Sequence, residues 1–338
     1  MPQPGIIRGT HHLTFCVGGA QEDYDFHVKL LGLFNVKKTV LFDGELPVYH
    51  MYYGNRHGDA STILTAFPYR HVGWMGKRGT NQARYINVSV PADSIGWWAD
   101  RFKANGVAYS EQDRFGEPRL YFTHPCGLEY NLVGISPVDD REPYDGHGVP
   151  AEHAIRGAHG TTTFVRDIDP MAYFITEGMG GTHLGSEGGY HQFQIGTDEG
   201  YGRILEFFVD RDSDQGTWNF AEGTIHHHAF DVIDEENQAV VKDYIVGLGF
   251  TDASDVKDRG YFFSVYCRSP SGLLCEFARG TEKGFLVDET EEELGTKMCI
   301  PPHWENRRSE ISQLEQIQTV EPVVASSVSD AAGKNLGG

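Results

Sequence analysis

Three consecutive histidines, His226, His227 and His228, open an apolar run, and Glu276 follows about fifty residues later in the stretch from Ser269 to Phe277. A second doublet, His11 and His12, lies near the N-terminus. Two neutral imidazoles and one carboxylate on one octahedral face leave three positions open, the donor set with which non-haem Fe(II) oxygenases hold dioxygen beside a second molecule. Such chemistry requires residues far apart in the chain to meet, so the elements that carry them decide whether it is possible.

The same order of elements recurs four times: a short alternating strand, a helix ended by glycine, then several strands. The opening strands begin near His12, Tyr85, His159 and His227, which are 73, 74 and 68 residues apart. Helices are expected over 20–31, 93–104, 170–177 and 235–246, with apolar residues at three-to-four spacing such as Ile95, Trp98 and Phe102. Gly32, Gly106, Gly178 and Gly247 are their expected terminators.

Strand periodicity places His12, Thr14 and Cys16 on one face of the first strand and Leu13, Phe15 and Val17 on the other, with His11 outside the His12 face. The same alternation groups His227 with Ile225, Ala229 and Asp231, leaving His226 and His228 reversed, so only one of the three histidines is expected to face inward. In the turn from Ser269 to Leu273, Pro270 presets one residue and Gly272 can take the left-handed conformation. That closes Ser269 on Leu273 and brings Tyr266 opposite Glu276. Counting four residues past the turn glycine of unit three gives Glu206 the corresponding position.

The chain has 338 residues, 39% of them hydrophobic, enough for two cores. Two domains are expected, 1–134 and 157–305, each of two units, with a proline-rich linker at 135–156 and a flexible tail at 306–338. A formal charge of -20 repels phosphate backbones and anionic lipid, which argues against nucleic-acid and membrane-surface roles. With no uninterrupted apolar stretch of about 18 residues and no signal-like start, a cytoplasmic protein is expected. Five cysteines, an odd number without paired spacing, argue against a disulfide framework. Aromatic residues such as Trp97 and Trp98 on the second helix make a homo-oligomer plausible, with one of the two expected in the core.

Histidine opening a unit and glutamate closing one, in a chain of four strand-helix-strand units, resembles the vicinal oxygen chelate superfamily. The motifs His11-His12-Leu13-Thr14, Ala221 to His227 and Lys257 to Tyr266, with Glu276, resemble more closely the hydroquinone ring-cleaving dioxygenases. The resemblance covers about His11 to residue 300. It implies an α+β fold of four βαβββ modules in which the first and last units share a metal cup. It also implies Fe(II) held by His12, His227 and Glu276, surrounded by His11, Thr14, His226, Arg259 and Tyr266.

The implied reaction joins a hydroquinone and O2, opening the ring at the 1,2 bond to a hydroxymuconic semialdehyde or, from a chlorinated ring, an acyl chloride that hydrolyses to a maleylacetate. Para hydroxyls cannot both reach one metal, so the substrate binds through one oxygen and the surrounding side chains must place the ring. On this reading His11 or His226 accepts the phenol proton, Arg259 stabilises negative charge on oxygen and Tyr266 donates a hydrogen bond. Mn(II) fits the same donors. Two other constellations stay open on motif count: a conventional extradiol catechol site of His159, His227 and Glu276, and a glyoxalase-like isomerase site that adds Glu206. A cavity protein that binds without turnover is a third possibility.

Overall fold

The computed structural model describes residues 6–196 and 202–320. Unit one consists of β1 (Ile7–Val17), α1 (Ala20–Tyr24) continuing into a π-helical turn (Asp25–Leu30), β2 (Phe34–Val40), β3 (Tyr49–Gly54) and β4 (Ile63–Pro68). Unit two has β5 (Gln82–Pro91), α2 (Ile95–Ala104), β6 (Tyr109–Arg114), β7 (Glu117–Thr123) and β8 (Glu129–Ile135). Unit three has β9 (Gly157–Val165), α3 (Asp169–Tyr173) with a π-helical turn (Phe174–Gly178), β10 (Thr182–Glu187), β11 (Tyr190–Gln194) and β12 (Ile204–Val209). Unit four has β13 (Thr224–Val232), α4 (Glu235–Gly247), β14 (Lys257–Asp258), β15 (Phe262–Arg268) and β16 (Leu274–Gly280). Gly178 and Gly247 still belong to their helical segments, so the left-handed glycines lie two residues further on, at Gly180 and Gly249.

The units form two eight-stranded sheets that interleave the chain. One runs β14-β15-β16-β13-β1-β4-β3-β2 and joins units one and four; the other runs β10-β11-β12-β9-β5-β8-β7-β6 and joins units two and three. Each sheet therefore takes one unit from 1–134 and one from 157–305. Antiparallel pairs form the two seams, β1 with β13 and β5 with β9. The outward-alternating residues Leu13, Phe15 and Val17 are buried, and Phe15 stacks on His27 of the following helical turn at 5.4 Å. Trp98 is in the core, while Trp97 lies over His153 at 4.8 Å.

The β1–β13 seam is not regular. Thr10 pairs with Phe230 and His12 with Ala229, so His11 is an extra residue on β1. Thr14 pairs with His227 and Phe15 with Ile225, so His226 is an extra residue on β13. Each bulge interrupts the period of two and turns its histidine out of the alternating pattern. His228 keeps its place and points away from the cup: its ring bonds Thr10 Oγ1 at 2.8 Å and Thr161 Oγ1, on β9 of the other sheet, at 3.0 Å.

Residues 306–320, within the segment expected as a tail, lie on unit one. Trp304 and Ile311, the latter in α5 (Arg308–Ile311), close a buried cluster with Val40. Glu315 accepts a hydrogen bond from Ala20 N at 2.6 Å, at a helix start whose own cap residue, Gly19, has no side chain to offer. Residues 321–338 of that segment are outside the described residues. Among the described residues no helix is long and apolar enough to cross a membrane, and all five cysteines are free. Replacing His228 by Ala removes both hydroxyl partners and a fully buried ring, so urea unfolding should show a loss of about 2 to 4 kcal/mol. An unchanged midpoint would show that the imidazole does not join the sheets.

Candidate metal centre

Three strands deliver the candidate ligands to one point. His12 comes from β1, His227 from the adjacent β13, and Glu276 from β16, where Glu276 stands beside Ala229. His12 Nε2 and His227 Nε2 are 3.1 Å apart; Glu276 Oε2 is 2.9 Å from His227 Nε2 and 3.6 Å from His12 Nε2. These separations are close to the edge of an octahedron with bonds of about 2.1 Å, roughly 3.0 Å. All three side chains are buried, and Glu276 Oε2 has no hydrogen-bond partner.

Burial lowers His12 well below the ordinary histidine value, despite the attraction of Glu276. Burial alone raises the Glu276 carboxyl, but His227, His12 and the Ser264 hydroxyl hold it well below the usual carboxylate range. The cluster therefore presents a buried carboxylate charge between two imidazole rings. Such a charge costs several kcal/mol unless a cation meets it.

Two other donor clusters among the described residues show how this protein satisfies buried carboxylates. Glu117, His159 and Glu206 form one, in the sheet of units two and three, and Asp288, Glu289 and Cys299 form another. Arg119 reaches Glu206 at 2.6 Å and Glu117 at 2.6 Å, with Arg114 at 2.8 Å from Glu206. Lys37 pairs with Asp288 at 2.5 Å and with Glu289. Both clusters are thus filled by side-chain cations. No lysine or arginine makes an ion pair with Glu276 among the described residues. The donor set of His12, His227 and Glu276 therefore fits a divalent cation.

The same geometry corrects both alternative constellations. His159 and Glu206 lie in the second sheet beside Glu117, so neither joins His227 and Glu276 at one ion.

Around the candidate ligands the bulges do the positioning. His11 Nδ1 lies 2.8 Å from His12 Nδ1, and His226 Nδ1 lies 2.7 Å from His227 Nδ1. Each candidate ligand thus has its rear nitrogen tied to the bulged histidine before it, leaving Nε2 for the centre. His226 also lines the cavity above the centre, stacked on Phe220 at 3.8 Å, so two of the three consecutive histidines face inward. His11 is buried behind His12 and is not among the cavity-lining residues, which removes it as an acceptor of a substrate proton. Burial lowers both bulged histidines, which keeps them neutral.

The hairpin between β15 and β16 has the register that its turn spacing requires. Gly272 has φ 78°, Ser269 N donates to Leu273 O at 2.9 Å, and Tyr266 pairs with Glu276. Arg259 Nε donates to Tyr266 OH at 3.1 Å, and its Nη1 pairs with Asp43. Burial, aided by the charge of Glu276, raises the Tyr266 phenol and keeps it a donor. Thr14 lies below the cavity, 2.8 Å from Thr65, whose hydroxyl meets His50 at 3.1 Å.

His50 and Tyr52, joined at 2.9 Å, line the cavity from β3, and Ser264 holds Glu276 Oε1 at 2.5 Å. None of the three stands out in the sequence. Their signal is only the period of two, which places His50 with Tyr52 on one strand face and Ser264 with Tyr266 on another.

Paired βαβββ units curled around a two-histidine, one-carboxylate cup define a protein of the vicinal oxygen chelate class. No family model matches the chain. It is 38% identical over 313 residues to the chlorohydroquinone/hydroquinone 1,2-dioxygenase of Sphingobium indicum, covering 92% of this chain and 97% of that one. MhqO of Bacillus subtilis, provisionally named a ring-cleaving dioxygenase, is 33% identical over 90% of this chain and 95% of its own.

A Bacillus subtilis crystal structure, provisionally described as a dioxygenase, superposes with a TM-score of 0.86 at 32% identity, covering 94% of this chain and 99% of that chain. Glyoxalase I from Zea mays shares the fold alone, with a TM-score of 0.57 at 14% identity over 80% of this chain and 92% of its own. The chain belongs to the ring-cleaving dioxygenase family that includes the Sphingobium enzyme.

The second cup gives a test by pH. Burial by itself raises Glu206, but the guanidinium groups of Arg119 and Arg114 outweigh it and bring the carboxyl down to about 2. A group depressed on folding contributes stability that is full above its unfolded value of about 4.3 and lost as pH falls toward the folded one. The difference in urea midpoint between the wild type and Glu206→Gln should therefore be constant above about pH 5 and shrink steadily toward pH 2. A difference independent of pH would contradict the ion-pair account.

Proposed function

We propose that the protein is an Fe(II)-dependent dioxygenase that opens a hydroquinone ring between a hydroxyl-bearing carbon and its neighbour, with both atoms of O2 entering the product. The observation that carries this reading is the buried Glu276 carboxylate at the floor of a cavity, which has two imidazole neighbours and, among the described residues, no ion pair with a lysine or arginine. The family and the activity for which the Sphingobium relative is named support the choice of reaction.

His12, His227 and Glu276 would hold the metal, which, when bound, supplies the redox centre where O2 and the phenolate oxygen meet. With its Nε2 turned to the centre, His227 carries its proton on Nδ1 and donates it to His226. Neutral His226 then bears its own proton on Nε2 and presents a donor to the cavity, not the proton acceptor that its ordinary basicity suggested. Tyr266, which accepts from Arg259, has its hydroxyl proton free to meet negative charge building on a substrate oxygen. Arg259 stays cationic next to it and is itself held by Asp43. Phe262, 5.0 Å from the His12 ring, and Phe220, stacked on His226, add apolar surface to the cavity that receives an aromatic ring.

Anaerobic loading with Fe(II), followed by oxygen uptake on hydroquinone and catechol, is the direct test; a preference for catechol would refute the hydroquinone assignment. His12→Ala should retain almost no iron after desalting, whereas His159→Ala should retain as much as the wild type. Equal iron in the two variants would remove His12 from the ligand set. Tyr266→Phe and Arg259→Ala should each keep their iron and lose about a hundredfold in kcat. Normal turnover in either would end its role.

A further inference from the structure

The cavity above the candidate centre is too large for the simplest substrate. It is partly open to solvent and offers about 710 Å³, whereas a closed apolar cavity of about 150 Å³ suffices for benzene. A hydroquinone adds only two oxygens to that ring. Even with O2 beside it, most of the space is left over.

The spare space is apolar. The floor, made by β1, β13 and β16, carries the candidate ligands, and the polar groups His50, His226, Arg259 and Tyr266 stand around them. The roof comes from outside both sheets: Ile300, Pro301 and Pro302 from the segment after unit four, and Leu41 and Phe42 just beyond the end of β2. That roof is fastened in place. His303 Nε2 meets Phe42 O at 2.8 Å, and Arg307 donates to Glu45 O at 2.7 Å. A substituent that leaves the ring toward the roof meets the hydrocarbon of Leu41, Phe42, Ile300, Pro301 and Pro302.

The charge of the lining is one-sided as well. Among the described lining residues Arg259 is the only lysine or arginine, and Tyr266 and Asp43 take the Nε and Nη1 positions of its guanidinium. Asp43 and Asp288 also line the cavity, with Lys37 turned to Asp288 and Glu289. A carboxylate on the substrate would enter against two acidic groups, and Arg259, the one lysine or arginine of the described lining, is already paired with Asp43.

We infer that the substrate is an uncharged hydroquinone whose ring carries a bulky apolar substituent, about the size of a second ring, and that carboxylated hydroquinones are refused. This rests on the ring-cleavage reading above and deepens it.

The test is oxygen uptake by the iron-loaded enzyme on hydroquinone, phenylhydroquinone and 2,5-dihydroxybenzoate. The kcat/KM for phenylhydroquinone should exceed that for hydroquinone by about tenfold or more, and 2,5-dihydroxybenzoate should fall at least about tenfold below hydroquinone. In Ile300→Trp, which fills part of the roof space, the ratio of phenylhydroquinone to hydroquinone should drop about tenfold. Hydroquinone turned over as well as the phenyl compound, or 2,5-dihydroxybenzoate turned over comparably, would overturn the inference.

Should no hydroquinone consume oxygen, the ring-cleavage reading fails, and binding to the metal-free protein still decides the size and charge preference. By protein fluorescence, 2-phenylphenol should bind at least about tenfold more tightly than phenol, and salicylate should not bind. Equal affinities for 2-phenylphenol and phenol, or binding of salicylate, would overturn it.

Discussion

The pairing of β1 with β13 is the contact on which the rest of the molecule depends. It joins residues more than two hundred positions apart, and the two imidazoles of the candidate centre face each other across it. Because the strands are antiparallel, a bulge on each falls on the same side of its candidate ligand in sequence. His11 precedes His12 and His226 precedes His227, and both pairs are tied through Nδ1. One irregularity, used twice, thus sets the orientation of both rings. A flat seam with perfect alternation would have sent the bulged histidines to the opposite face and left the rear nitrogens to other partners.

The two sheets share an architecture and solve the same electrostatic problem differently. Each buries a glutamate on the strand that runs parallel to the opening strand of its unit, Glu276 beside β13 and Glu206 beside β9. Around Glu206 the other unit of the sheet supplies arginines, from β7 and the end of β6, and the hydroxyl of Thr162 completes the shell at 2.9 Å. Around Glu276 the corresponding strand of the other unit, β3, supplies His50 and Tyr52, and the adjacent β15 supplies Ser264 and Tyr266, none of them an arginine or lysine. The guanidinium-filled cup is closed by its own chain, while the other remains one charge short. That difference, and not the fold, separates a structural cluster from a candidate catalytic centre.

Much of this was legible in the sequence because it follows from local rules. The turn from Ser269 to Leu273 fixes its hairpin register by itself, and the four opening strands announce themselves by alternation. His12, His227 and Glu276 could be named as a set from residue type and resemblance, and these three side chains do converge. What alternation could not supply is any break in alternation: the bulges at His11 and His226 arise from the fit of two strands that are distant in the chain. The same holds for His50 and Ser264, which are ordinary strand residues until a partner strand places them beside the cup. The contacts of residues 306–320 with unit one escaped notice because a polar segment without helical period can still be held by a few specific bonds, such as those of Glu315.

The interleaved order of the sheets also constrains how the chain is made. Units two and three are consecutive, so their seam can close while synthesis is under way, nested inside the outer pair like an inner bracket. β1 finds β4 soon after it leaves the ribosome, but its other edge must wait for β13. At about 5 to 20 residues per second that interval is roughly 10 to 40 seconds. For that time the nascent chain carries a bare β-edge holding two histidines, one that invites intermolecular pairing until the last third of the protein arrives to cover it.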